Sequence, residues 1–115
     1  MSFWRRQVIQ PALDQDTRRH MEEQLAWIAR EPDNPRPYHH LAEFYRMEGR
    51  QEEALGLLLQ AVHLDGGFAP AHAALAEMYA VRGDYQAAWH HARLAEQGGE
   101  PRAVELLKRY AVAEG

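Results

Sequence analysis

The chain matches itself at one fixed shift, the one that carries Leu41 onto Leu75. In that register Ala42 falls on Ala76, Glu43 on Glu77 and Tyr45 on Tyr79. Gly49 falls on Gly83, Ala54 on Ala88 and Ala61 on Ala95. The identities are sorted by chemistry, with large apolar, small apolar, aromatic and glycine positions each keeping their own column. A repeat of this length marks a supersecondary unit that cannot bury its apolar face alone. It must stack on copies of itself, which restricts the chain to an array of like units.

One unit runs from Pro35 to Phe68. Asn34 or Asp33 can cap a helix there, and Pro35 suits a first turn whose N–H groups lack helical partners. Tyr38, Leu41, Ala42 and Tyr45 follow at helical spacing and form one apolar stripe. Gly49 stops this helix. A second stripe passes through Ala54, Leu55, Leu58, Ala61 and Val62 and ends at Gly66 and Gly67. The next unit repeats the order with Leu75, Ala76 and Tyr79, then Gly83, then Tyr85, Ala88, Trp89, Ala92 and Ala95. Asp84 can cap its second helix. The paired small residues, Ala42 with Ala54 and Ala76 with Ala88, predict two helices packed almost backbone to backbone.

Tyr38-Leu41-Ala42-Tyr45 with Ala54 and Ala61, and His72-Leu75-Ala76-Tyr79 with Ala88 and Ala95, resemble the tetratricopeptide repeat (TPR), a helix–turn–helix unit of about 34 residues. His72 departs from the pattern by standing where the family has an aromatic residue, and the terminal proline column holds Gly66 and Glu100. The resemblance covers roughly residues 35–100 and implies an all-α, TPR-like helical hairpin solenoid. Two full 34-residue units are flanked by a partial N-terminal unit and a C-terminal capping helix. The expected organisation is an N-terminal arm over 1–13, the second helix of a partial repeat over 14–34, full units over 35–68 and 69–100, and the cap over 101–115. Pro11 falls in the Tyr45 column and predicts a break, leaving Ser2–Ile9 as at most a short helical arm. The cap carries a polar outer side of Arg102, Glu105, Lys108 and Arg109, as the last element of an array requires.

In this family the first helices of successive units line a concave groove that holds an extended partner segment. The matching columns are Arg36, His39, Glu43, Arg46 and Met47 in one unit and Pro70, Ala73, Glu77, Ala80 and Val81 in the next. Some members grip a partner's C-terminal carboxylate with Lys and Asn on this face. Here those positions hold His39, Glu43, Ala73 and Glu77, so that clamp is not expected. The residues suit a partner with a basic group facing Glu43 and Glu77 and an apolar side chain on Ala73, Ala80 and Val81. The alternative is that the two glutamates are solvated or pair with Arg46 and Arg82.

The remaining features carry less chemistry. His39-His40 and His90-His91 are neighbours whose side chains point about 100° apart on a helix, so neither pair chelates alone. Both read as surface histidines, with His72 filling the aromatic column, and no metal is expected. Phe3-Trp4-Arg5-Arg6 reads as cover for the Leu25–Ile28 helix, as a homodimer contact, or as a membrane-surface patch. Glycine pairs fall at helix ends rather than in a phosphate loop, and serine occurs only at Ser2, so no catalytic residue and no cofactor is assigned. The chain has no cysteine and a net charge of −4, which leaves no thiolate site and no basic stripe for nucleic acid. At 115 residues it fits one domain. Its apolar runs are too short to span a bilayer, and its first residues do not read as a secretory signal. The expected function is therefore a cytoplasmic, non-enzymatic adaptor or scaffold binding a protein or peptide. The alternative is a self-association module using the arm or the terminal helix.

Overall fold

In the computed structural model the backbone is described for residues 2–110 and 112–114, and side chains for residues 15–110 and 112–114. The described residues are all-helical. The elements are α1 (Ser2–Arg30), α2 (Pro35–Met47), α3 (Gln51–Leu64), α4 (Ala69–Val81), α5 (Tyr85–Gln97) and α6 (Arg102–Arg109). No helix among the described residues is long and apolar enough to cross a membrane.

The helices pair as hairpins, α2 with α3 and α4 with α5, because each short turn reverses the chain in the same way. The Gly49 N–H donates to the Arg46 carbonyl at 3.0 Å and the Arg50 N–H to the Tyr45 carbonyl at 2.8 Å. In the second hairpin the Gly83 N–H donates to Ala80 at 3.0 Å and the Asp84 N–H to Tyr79 at 2.9 Å. Both glycines hold left-handed backbone, with φ of 79° and 84°, so these bonds close the helix end only where no Cβ stands in the way. Gly83→Ala is expected to cost about 1–2 kcal/mol in urea unfolding. Gly66→Ala should be nearly neutral by the same measure. Gly66 and Gly67, expected to end α3 as glycine caps, have no positive φ. The chain turns there on Asp65, whose Oδ1 accepts from the Gly67 N–H at 3.0 Å.

Two caps read from the sequence are present. Asn34 Oδ1 accepts from the Arg36 N–H at 3.0 Å, and Asp84 Oδ1 accepts from the Ala87 N–H at 3.2 Å. The alanine columns form the cores. Ala42, Ala54, Leu58 and Ala61 join Ala71, Ala74, Leu75 and Met78 in one cluster between the hairpins. Ala73, Ala76, Ala88, Trp89, Ala92 and Ala95 join Ala103, Val104 and Leu107 of α6 in a second. A further bond repeats at the same period. The Tyr38 hydroxyl donates to the Pro32 carbonyl at 2.9 Å, and one period on the His72 ring meets the Gly66 carbonyl through Nε2 at 2.7 Å. Each side chain ties the start of its unit's first helix to the loop before it.

The ends of the row are covered differently. Helix α6 buries Ala103, Val104 and Leu107 and turns Arg102, Glu105, Lys108 and Arg109 outward, as a capping helix should. Beyond it the chain folds back on α5: the Trp89 indole N–H donates to the Val112 carbonyl at 3.2 Å, and the Arg93 guanidinium pairs with Glu114. At the other end α1 is a single helix, where a break at Pro11 was expected. The position one period before Gly49 is Gln15 rather than glycine. Without a residue that readily turns left-handed there, nothing closes a hairpin, and the helix carries on through Pro11 at the loss of that residue's own hydrogen bond. The expectations for Phe3 and Trp4 concern side chains outside the described residues. Of the rest of α1, His20 stacks on Phe44 at 5.7 Å and Trp27 meets His40 edge-on at 6.0 Å. Shifted by one period, these contacts become Ala54 with Met78 and Ala61 with Ala74, all in one core cluster. The C-terminal half of α1 thus stands where a second helix of a unit belongs.

Candidate functional site

Two adjoining hollows lie along the row of first helices, and they share Arg46 and Glu77. The polar hollow is lined by His39, Glu43, Arg46, Pro70, Glu77, Glu100 and Arg102. Arg46 stands between the two repeated glutamates, with Nη1 3.4 Å from Glu43 and Nη2 3.5 Å from Glu77. The Arg102 Nε lies 3.3 Å from the other oxygen of Glu77, and His39 Nε2 lies 3.7 Å from Glu43. Burial holds the His39 pKa below its ordinary value, against the opposing pull of Glu43. The imidazole is therefore neutral at neutral pH.

Of the alternatives for the two glutamates, pairing with Arg46 is present and pairing with Arg82 is not. The cation between Glu43 and Glu77 is the chain's own Arg46, three residues after Glu43 on the same helix face. Arg82, the other candidate partner, instead pairs with Glu52 across the hairpins.

The second hollow is apolar and open, with a volume of about 430 Å³. Ala80, Val81, Tyr85, Leu106, Leu107, Tyr110 and Val112 line it, with Arg46 and Glu77 at its rim. Val81 is 88% exposed and Tyr110 70% exposed, although both are large and apolar in their bodies. Large apolar surface left open beside a polar rim is the usual mark of an interaction site.

The ten residues predicted for the groove separate into four groups. His39, Glu43, Arg46, Pro70 and Glu77 meet in the polar hollow, and Ala80 and Val81 line the apolar one. Arg36 and Met47 are exposed but line neither. Ala73 is fully buried, because α6 packs over it in the core it shares with Val104 and Leu107. A groove contact through Ala73 is therefore excluded by packing.

Several lining residues were missed. Aligned with a linker two residues shorter, α6 and the segment after it place Arg102 in the Arg36/Pro70 column and Val112 in the Ala80 column. Extending the same columns one helix further would have found both. Tyr85, Leu106 and Tyr110 carry no such signal, since they reach the hollow from a second helix, from the side of α6, and from the chain after it.

Of the histidines expected at the surface, His40 and His90 are exposed, whereas His39 and His91 are half-buried. His39 is half-buried and meets Phe68 edge-on at 5.9 Å. His72 is buried, and its Nδ1 lies 2.9 Å from Nδ1 of half-buried His91. The Gly66 carbonyl can only accept, so His72 donates from Nε2 and accepts at Nδ1 from the His91 Nδ1–H. Among the described residues no three His, Asp or Glu side chains gather as a metal site. Compared with known proteins, the chain matches no family model and no curated protein.

Proposed function

We propose that the chain is a TPR-like solenoid working as a non-enzymatic interaction module, which holds an extended segment of a protein partner along the two hollows. One observation carries this reading: the open apolar hollow at Val81 and Tyr110, which the core does not require. A partner side chain of leucine or phenylalanine size seated there would contribute about 1.5–3 kcal/mol. The adjoining strip holds three carboxylates (Glu43, Glu77 and Glu100) against two guanidiniums (Arg46 and Arg102), with His39 neutral. One further cation balances it, so a Lys or Arg beside the apolar residue is the favoured neighbour. In this reading the protein is a cytoplasmic adaptor or scaffold that uses no cofactor and binds no nucleic acid.

The test uses displayed peptides that pair a basic with a bulky apolar residue. Val81→Asp should weaken the best binder at least tenfold, a loss of about 1.4 kcal/mol. Met47→Asp, exposed but outside the hollows, should bind like the wild type. Equal binding by the Val81 and Met47 variants would move the partner to another face.

A further inference from the structure

We propose that Arg102 holds the place of a partner's basic side chain at Glu77, and thereby sets how strongly the groove selects one. The proposal rests on the groove reading above and names the residue that tunes it.

Glu77 lies on α4, between α2 and α6, and meets a guanidinium from each. Arg46 reaches it from α2 at 3.5 Å and Arg102 from α6 at 3.3 Å, on different carboxylate oxygens. The two cations are held differently. The Arg46 side chain is 25% exposed, bridges Glu43 and Glu77, and lines both hollows, so packing as well as charge fixes its place. The Arg102 side chain is 60% exposed, and among the described residues its guanidinium pairs with Glu77 alone. Arg102 is also the first residue of α6, at the positive end of that helix, which favours no cation. An ion pair with one arm this exposed contributes little, because water and salt screen it and a long side chain must be held still. Arg102 is therefore the replaceable cation of the two.

Its position is the one a partner would use. Arg102 and Leu106 are four residues apart and share a face of α6. Leu106 lines the apolar hollow and Arg102 the polar one. A partner's apolar side chain lying on Leu106 and Val81 brings its neighbour beside Glu77, where the Arg102 guanidinium stands. A Lys or Arg that takes the Glu77 oxygen sends Arg102 out to solvent. One ion pair is then exchanged for another, and the gain is small. A neutral residue leaves Arg102 where it is. With its own arginine in place, the groove thus discriminates weakly between basic and neutral neighbours, and without it, strongly.

The test compares the best basic–apolar peptide with a twin carrying norleucine in place of its basic residue. It is run at pH 8, where His39 is neutral. Arg102→Gln should bind the basic peptide about threefold more tightly than the wild type, the size of a screened ion pair. It should bind the norleucine twin equally. Arg102→Lys, which keeps the charge, should behave as the wild type. So should Arg36→Gln, which changes net charge by the same amount in the matching column of α2, outside both hollows. At about 1 M salt, where the Debye length falls to about 3 Å, the gain should vanish. A basic peptide that binds Arg102→Gln no more tightly than the wild type, while Val81→Asp still weakens both peptides, would overturn the proposal and leave the groove reading standing. A gain shared equally by the norleucine twin would also overturn it, by making Arg102 a steric obstacle only. Binding indifferent to Val81→Asp would overturn the groove reading, and this proposal with it.

Discussion

Trp89→Ala is expected to destabilise the chain by roughly 3–5 kcal/mol, a large share of what a domain this size has to lose. Trp89 is 5% exposed and sits where α4, α5 and α6 share one core. Around it are mostly alanines, which cannot relax inward to fill the space of an indole. The substitution also removes the N–H that holds the Val112 carbonyl at 3.2 Å, and the ring face that the Arg93 guanidinium covers at 5.1 Å. The segment after α6 and α6 itself should therefore loosen together. Trp89→Phe keeps most of the volume and loses only the hydrogen bond, so it should cost about 1 kcal/mol. Urea unfolding of the three proteins separates the two contributions. An alanine variant that unfolds with the wild type would mean that α6 is held by something other than this core.

Acid should weaken the fold through the histidine pair. The His91 pKa is pushed down to about 4, first by burial and then by the neighbouring His72 and His90 rings. Tyr79, stacked on the His91 ring at 5.6 Å from α4, brings no charge to offset this. The unfolded chain keeps an ordinary histidine pKa near 6.5. Above pH 6.5 the imidazole is neutral in both states and the pair costs nothing. Below it the unfolded chain takes up a proton that the folded chain refuses, so stability falls as pH drops from about 6.5 to about 4 and then levels off. His39, lowered by its own burial, adds a loss of the same sign. His91→Asn keeps a donor for His72 and removes the titration, so its melting temperature should fall less over that interval. Parallel curves for the two proteins would show that this pair does not set the acid response.

The hairpins were legible because their signals are local and repeated. The alanine columns that recur with the period are the positions that pack to zero exposure, and Asn34 and Asp84 cap the helices they precede. What the sequence hid depends on contacts between elements. Pro11 reads as a break from its local sequence, but the helix runs through it, with Gln15 standing where the hairpins have a turn glycine. Ala73 looked like groove surface because nothing in its own helix reveals that α6 lies over it. Spacing offers both Arg46 and Arg82 as partners of the two glutamates, but does not show that Arg46 alone bridges them while Arg82 crosses to Glu52. The bonds from Tyr38 and His72 to the carbonyls of Pro32 and Gly66 leave no mark beyond the shared period, since different side chains make the same bond. The apolar hollow is completed beyond the last helix by Val112, which the columns reach, and by Tyr110, which no column predicts.

The interaction groove is tested most directly by amide chemical-shift mapping of the labelled chain, titrated with the best basic–apolar peptide. The largest changes should fall on Glu77, Ala80, Val81, Tyr85 and Tyr110, with α3 unmoved. Changes centred on α3 or on the outer side of α5, with the Val81 and Tyr110 signals fixed, would contradict a partner-binding groove beside α4 and α6.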